Sequence, residues 1–208
     1  MVDWDASRVN WKLRGKLLEN IEHMLELDRD WSYGMRVAEK PGLRRNLAMF
    51  FAHSGDSWFW GAGMLILWLA GSTSWKQWAV YQLFWISVLA ALVLALKFSI
   101  RRQRPAGDWG AVYRNTDPHS FPSGHAARSF LVAVFASLLG PGWLALILWI
   151  WAPLVSLARV AMGVHYVSDV IAGAIIGARV AFLGWQISAL LFSQISHALI
   201  PIFGLALW

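Results

Sequence analysis

Apolar stretches close to twenty residues long recur along this 208-residue chain, and they limit its fold more than any other feature. A helix needs about 20 mostly apolar residues to cross the roughly 30 Å hydrocarbon layer of a membrane. Trp78–Leu96 meets that length with no charged residue and ends against Lys97. Trp143–Met162 meets it as well, with Pro153 inside and Arg159 near its end, and Asp169–Phe192 follows. In that last stretch Gly173, Gly177, Ala181 and Gly184 recur at three- and four-residue spacing, a face on which another helix can pack closely. Ser123–Gly140 is shorter, with a polar first turn, and Pro141-Gly142 closes it. Ser57–Gly71 is shorter again. Asp56 is placed to cap it, and Trp58, Trp60, Trp75 and Trp78 flank it as interfacial anchors, so a full crossing is expected. Ser193–Trp208 is apolar enough for a sixth short segment, interrupted by Pro201. The expected fold is all-α, a multi-pass bundle of five to six membrane helices. Composition agrees: 58% of residues are hydrophobic and 14% charged, against about 25% charged in an ordinary soluble domain. Disorder is excluded and a water-soluble globule is disfavoured. The absence of cysteine removes disulfides, thiolate metal sites and a cysteine nucleophile.

Residues 1–56 differ in kind. They hold nine Lys/Arg and nine Asp/Glu and no apolar run long enough to span. Within Trp11–Trp31, Leu13, Leu17, Ile21, Met24 and Leu25 fall at helical spacing, with Lys12, Arg14, Lys16, Glu19, Glu22 and Glu26 mostly off that stripe. Two readings fit: an amphipathic helix lying on the membrane surface, or a solvated helix packed on the rest of the protein. The chain thus divides into an amphipathic helical segment, 1–56, and a transmembrane domain, 57–208. No secretory signal pattern opens it.

Polar groups gather where the apolar segments end. Lys97, Arg101, Arg102 and Arg104 follow the first long span; taken alone they read as cations anchoring a helix at headgroup level. Pro122-Ser123-Gly124-His125 opens another. Ser123 is placed to cap it, Gly124 lets the backbone approach a ligand, and the free N–H groups of the first turn favour an anion. The third group is Arg159, His165 and Asp169. The last two are four residues apart, so on a continuous helical turn the carboxylate can hold the imidazole in one tautomer. Ionisable groups at the ends of apolar spans are costly and seldom idle. Cations and N–H donors suit a phosphoryl group, one histidine can attack phosphorus, and another can protonate the leaving oxygen. Asp108 and Asp117 are the only acids between 97 and 124, which offers no carboxylate cluster for two metal ions. Metal-free chemistry without a cofactor is expected.

Lys97-x6-Arg104-Pro105, Pro122-Ser123-Gly124-His125 and Arg159-x5-His165-x3-Asp169, in this order and spacing, resemble the three-part signature of the type 2 phosphatidic acid phosphatase superfamily. The resemblance covers about residues 57–192 and implies an all-helical bundle. It also implies His165 as a nucleophile forming a phosphohistidine, Asp169 orienting it, and His125 as general acid. Lys97, Arg104, Ser123, Gly124 and Arg159 would hold the phosphate. One position departs: the family usually has Ser before the third-motif Arg, where this chain has Ala158. His119 receives no role from the signature and reads as loop structure, His53 and His197 as interfacial, and His23 as part of the N-terminal helix.

The substrate implied is a membrane lipid phosphate or pyrophosphate, of the phosphatidic acid, phosphatidylglycerophosphate or polyprenyl-phosphate type. An undecaprenyl-pyrophosphate phosphatase with an outward-facing site is the alternative. A vanadate-dependent haloperoxidase or a non-catalytic lipid-binding relative are remote ones. Of the net charge of +6, none comes from residues 1–56, and seven of the nine remaining cations (97, 101, 102, 104, 114, 128 and 159) lie on the side of the signature. Nucleic acid is not needed to explain them. Positive residues accumulate on the cytoplasmic side, so a multi-pass protein of the cell membrane with a cytoplasmic-facing site is expected.

Overall fold

The computed structural model describes the backbone of residues 6–203 except 108, 110–114 and 116, and side chains within residues 14–187. Seven helices are described: α1 (Ala6–Gly34), α2 (Leu43–Ser54), α3 (Ser57–Ala70), α4 (Thr73–Ile100), α5 (Gly124–Leu139), α6 (Gly142–Ala161) and α7 (Val167–Phe203). No strand is present among the described residues, only an isolated antiparallel bridge between Gln103 and His119. The fold is an all-helical membrane bundle, as expected. Among the described residues three helices are long and apolar enough to cross a membrane: α4, α6 and α7 over Val167–Ile187. The other two apolar helices are shorter. At 1.5 Å per residue, the 14 residues of α3 extend about 21 Å.

The sixth short segment expected from Ser193 is not a separate helix: α7 continues unbroken to Phe203. His197 and Arg114 lie outside the described side chains, as does Asp108. The small residues of α7 do what their spacing suggests. A Cβ at Gly173 would run into the Ser123 carbonyl, and one at Gly177 into the Ala127 carbonyl. Glycine there lets α7 lie directly on the backbone of α5, which ties the second signature segment to the third. The apolar core is built from Trp78, Tyr81, Trp85, Leu89 and Val93 of α4 with Leu131 and Phe135 of α5, Leu148 of α6 and Ala181 of α7. Trp78, expected as a surface anchor, is buried here, whereas Trp58 and Trp143 are exposed.

The N-terminal helix inverts the usual amphipathic arrangement. Its Leu17, Ile21, Met24 and Leu25 are exposed, while Asp28 and Ser32, one turn apart, face the bundle: the Ser168 N–H donates to Asp28 at 2.9 Å and the Val167 N–H to Ser32 Oγ at 3.0 Å. Polar contacts hold this helix to the start of α7, and its apolar stripe points away.

Candidate active site

The site is assembled at one end of the bundle by three chain segments. The first ends α4. Arg101 adopts a left-handed conformation (φ 54°) and closes the helix by donating its N–H to the Lys97 carbonyl at 2.9 Å. The chain then leaves the helix without regular structure, and Arg102 and Arg104 meet different neighbours. Arg104 is buried; its Nη1 donates to the Val164 carbonyl at 2.8 Å and lies 3.2 Å from His165 Nε2. The second segment starts α5. Ser123 caps it as expected, accepting the Ala126 N–H at 3.5 Å, and donates its own N–H to the Asp169 carbonyl at 3.0 Å. The third is the last turn of α6 and the turn that follows it, where Arg159 and His165 respectively are almost fully buried.

Lys97, Arg104, Gly124, His125, Arg159 and His165 line one cavity of about 430 Å³. Ser123 stays beneath it as a cap, buried. The cavity continues away from these polar groups along Trp60 and Gly61 of α3 and Leu83, Ile86, Leu89, Ala90, Val93 and Leu94 of α4. Leu83 to Lys97 spans fourteen residues, about 21 Å along the helix.

Protonation follows from hydrogen-bond partners. A guanidinium can only donate, so the Arg104 contact makes His165 Nε2 an acceptor and leaves the proton on Nδ1. That nitrogen faces Asp169 Oδ2 at 3.5 Å. Burial holds the His165 pKa well below its ordinary value of 6.5, and the charges of Arg104, Arg159 and Lys97 push it the same way. The result is a neutral imidazole whose electron pair is on Nε2, facing Arg104; an unprotonated nitrogen is what a nucleophile needs.

The continuous helical turn expected between His165 and Asp169 is not formed, because α7 begins at Val167. Asp169 instead accepts the Tyr166 N–H on Oδ2 at 2.8 Å and Arg102 Nη1 on Oδ1 at 2.7 Å. Arg102 was expected to anchor a headgroup. It bridges Asp169 and Asp28 instead, with Nη2 2.7 Å from Asp28 Oδ2, and lies over the Tyr166 ring 4.0 Å from its centre.

Two further acids escaped the sequence reading. Asp117 accepts from Lys97 Nζ at 2.5 Å and Arg104 Nη2 at 2.8 Å, so an internal carboxylate already engages the two cations expected to hold phosphate. Burial alone would raise the Asp117 pKa, but the hydrogen bond and charge of Lys97, with the charge of Arg104, hold it below its ordinary value. Asp56 stands at the position of an N-cap for α3 but makes no side-chain cap bond. Its Oδ1 accepts from His125 Nε2 at 2.8 Å and its Oδ2 from His53 Nδ1 at 3.0 Å. Burial would raise its pKa too; His125 and His53 outweigh that and keep it ionised. His119 serves the loop, as expected, offering its carbonyl to Lys97 at 2.9 Å. Ala158 is buried and adds no polar group where the family usually has serine. Among the described residues no three His, Cys, Asp or Glu side chains converge closely enough to hold a metal ion.

Comparison with known proteins identifies relatives of the chain. An undecaprenyl-diphosphatase of Sulfolobus acidocaldarius is 38% identical over 110 residues, covering 50% of this chain and 53% of that one. A lipid A 4'-phosphatase of Bacteroides thetaiotaomicron is 44% identical over 80 residues, covering 38% of this chain and 32% of that one. The match thus spans about half or a third of these relatives. The crystal structure of Aquifex aeolicus LpxE superimposes with a TM-score of 0.60 at 26% identity, covering 78% of this chain and 94% of that one. The family model for the PAP2 superfamily matches residues 78–192, more than half of the sequence and all three signature segments, and the chain belongs to that superfamily.

Proposed function

We propose that this integral membrane protein is a metal-independent phosphatase of a lipid phosphate or pyrophosphate. The observation that carries the reading is the shape of a single cavity: Lys97, Arg104, Arg159, His125 and His165 line one part, and the apolar faces of α3 and α4 line the rest. A phosphorylated headgroup matches the first and a hydrocarbon chain the second. His165 Nε2 forms the bond to phosphorus while the bond to the leaving oxygen breaks, and His125 supplies that oxygen's proton. Water then releases the phosphate from His165. Asp169 orients the nucleophile, and Lys97, Arg104, Arg159 and the α5 N-terminus at Ser123-Gly124 stabilise the charge of the transferring group.

The relatives named above act, by their names, on an undecaprenyl diphosphate and on lipid A. Their difference in headgroup leaves phosphatidic acid, phosphatidylglycerophosphate and polyprenyl phosphates as one panel of test substrates. Purified protein in detergent is expected to release inorganic phosphate from at least one of them in excess EDTA. Activity lost with chelator and restored by magnesium would overturn the metal-free mechanism.

The site faces the cytoplasm in this reading. Asp56, just before α3, lies 2.8 Å from His125 at the site, which supports α3 and α4 as an antiparallel pair with residues 1–56 and their nine cations on the site's side. The exposed stripe of Leu17, Ile21, Met24 and Leu25 then lies against the membrane surface, with the segment 1–56 held to the domain 57–208 through Asp28 and Ser32. Because the chain has no cysteine, single cysteines at Asn115 and Ser72 test this in intact cells with an impermeant reagent. Labelling at 72 with protection at 115 is expected; the reverse pattern contradicts an inward site.

A further inference from the structure

The general-acid histidine has a partner that lies outside the three signature segments. Asp56 Oδ1 lies 2.8 Å from His125 Nε2, although the two residues are 69 apart in sequence. Both side chains are largely buried, each 15% exposed. The second carboxylate oxygen is fixed by His53 Nδ1 at 3.0 Å. Gly55 leaves room for the pair: a Cβ there would come within 3.0 Å of His125 Cδ2 and 2.8 Å of Val155 Cγ1. Around the ring, His125 shares its cavity with Arg128 and Arg159, so Asp56 is the anion in hydrogen-bond contact with it.

We infer that Asp56 is a positioning residue for His125, holding a proton on Nε2 so that Nδ1 carries the one that moves. The inference rests on the phosphatase reading above and adds a residue to it. An ionised carboxylate can only accept, so Nε2 must carry a hydrogen in both protonation states of the ring. In the first step the His165–phosphorus bond forms, the bond to the leaving oxygen breaks, and that oxygen takes the Nδ1 proton of His125. The ring is left neutral with its electron pair on Nδ1. In the second step a water oxygen bonds to phosphorus, its proton goes to Nδ1, and the electron pair of the breaking N–P bond returns to His165. His125 ends as it began, and Asp56 never takes the proton.

Two measurements on the full chain in detergent test this. Nitrogen-15 histidine NMR is expected to find neutral His125 as the Nε2–H tautomer, with D56A giving a mixture. An Nδ1–H tautomer in the unsubstituted protein would overturn the inference. Kinetics on phosphatidic acid and nitrophenyl phosphate form the second arm, since nitrophenolate leaves without needing a proton. D56A is expected to lower turnover of the lipid about 100-fold, within the range of a lost general acid, but nitrophenyl phosphate turnover only a few-fold. D56N should recover part of the loss, and D56A should cost little more when His125 is already alanine. Equal losses on both substrates, or no loss on the lipid, would overturn it. If the unsubstituted protein cleaves no lipid phosphate, the substrate reading fails, while the tautomer still decides the Asp56 pairing.

Discussion

The two histidines that line the cavity are each paired with an aspartate, in opposite senses. His165 and Asp169 lie within one turn of chain, yet their closest approach is a loose 3.5 Å, because Asp169 is engaged by the Tyr166 N–H and by Arg102. His125 and Asp56 come from different helices and meet at 2.8 Å. In the first pair Nε2 is an acceptor facing Arg104; in the second Nε2 meets the carboxylate, which in the inference above leaves Nδ1 for the proton that moves. One ring presents an electron pair and the other can present a proton. The difference teaches that proximity in sequence does not rank these pairs. What separates their roles is which nitrogen the surroundings occupy.

The comparison can be broken by substitution. H165A is expected to abolish turnover by about 10⁴-fold or more on every substrate, because no nucleophile remains; a loss that depended on the leaving group would exchange the two roles. R102A releases Asp169 from its ion pair and from Asp28. It should cost about 100-fold, the order expected when a reacting group is misplaced by an ångström. Unlike D56A, it should slow lipid and nitrophenyl substrates alike, and steady-state kinetics on both will separate the two networks.

A pH dependence sharpens the picture further. His165 has its folded pKa pushed below 6.5, so below that pH the unfolded chain takes up a proton that the folded chain refuses, and stability falls as pH drops. H165N should flatten the acid side of a thermal-unfolding profile, and the acid limb of kcat/KM should lie below pH 6.5. The smallest effect concerns Asp117, which contacts the same cations a phosphate would use. D117N is expected to tighten inhibition by inorganic phosphate or vanadate about 10-fold, near 1.4 kcal/mol. Weaker inhibition would instead make Asp117 a support for Lys97 and Arg104.

Much of this architecture is legible in the sequence, for a physical reason: burial in a bilayer demands long apolar runs, and close helix contact demands small residues. Trp78–Leu96 and the Gly173–Gly177 face therefore read directly. The signature cations and histidines read because ionisable groups at span ends are costly. What did not read are the acids that neutralise them. Asp28 looks like any polar residue of an amphipathic helix, Asp56 like an N-cap, and Arg102 like a headgroup anchor. Each acquires its role from a contact 67 to 140 residues distant, and no local pattern encodes that. The boundary between Phe192 and Ser193 failed differently: no Gly, Pro or charge marks it, and α7 runs through it to Phe203.

Trapping the covalent intermediate tests the central claim most directly. H125A incubated in EDTA with a nitrophenyl phosphate ester and quenched under alkaline denaturing conditions should carry an acid-labile phosphoryl group, found by mass spectrometry on the peptide containing His165. The same experiment with H165A should find none. A phosphoryl group on His125, on a serine or nowhere, with turnover intact in the unsubstituted protein, would contradict the account.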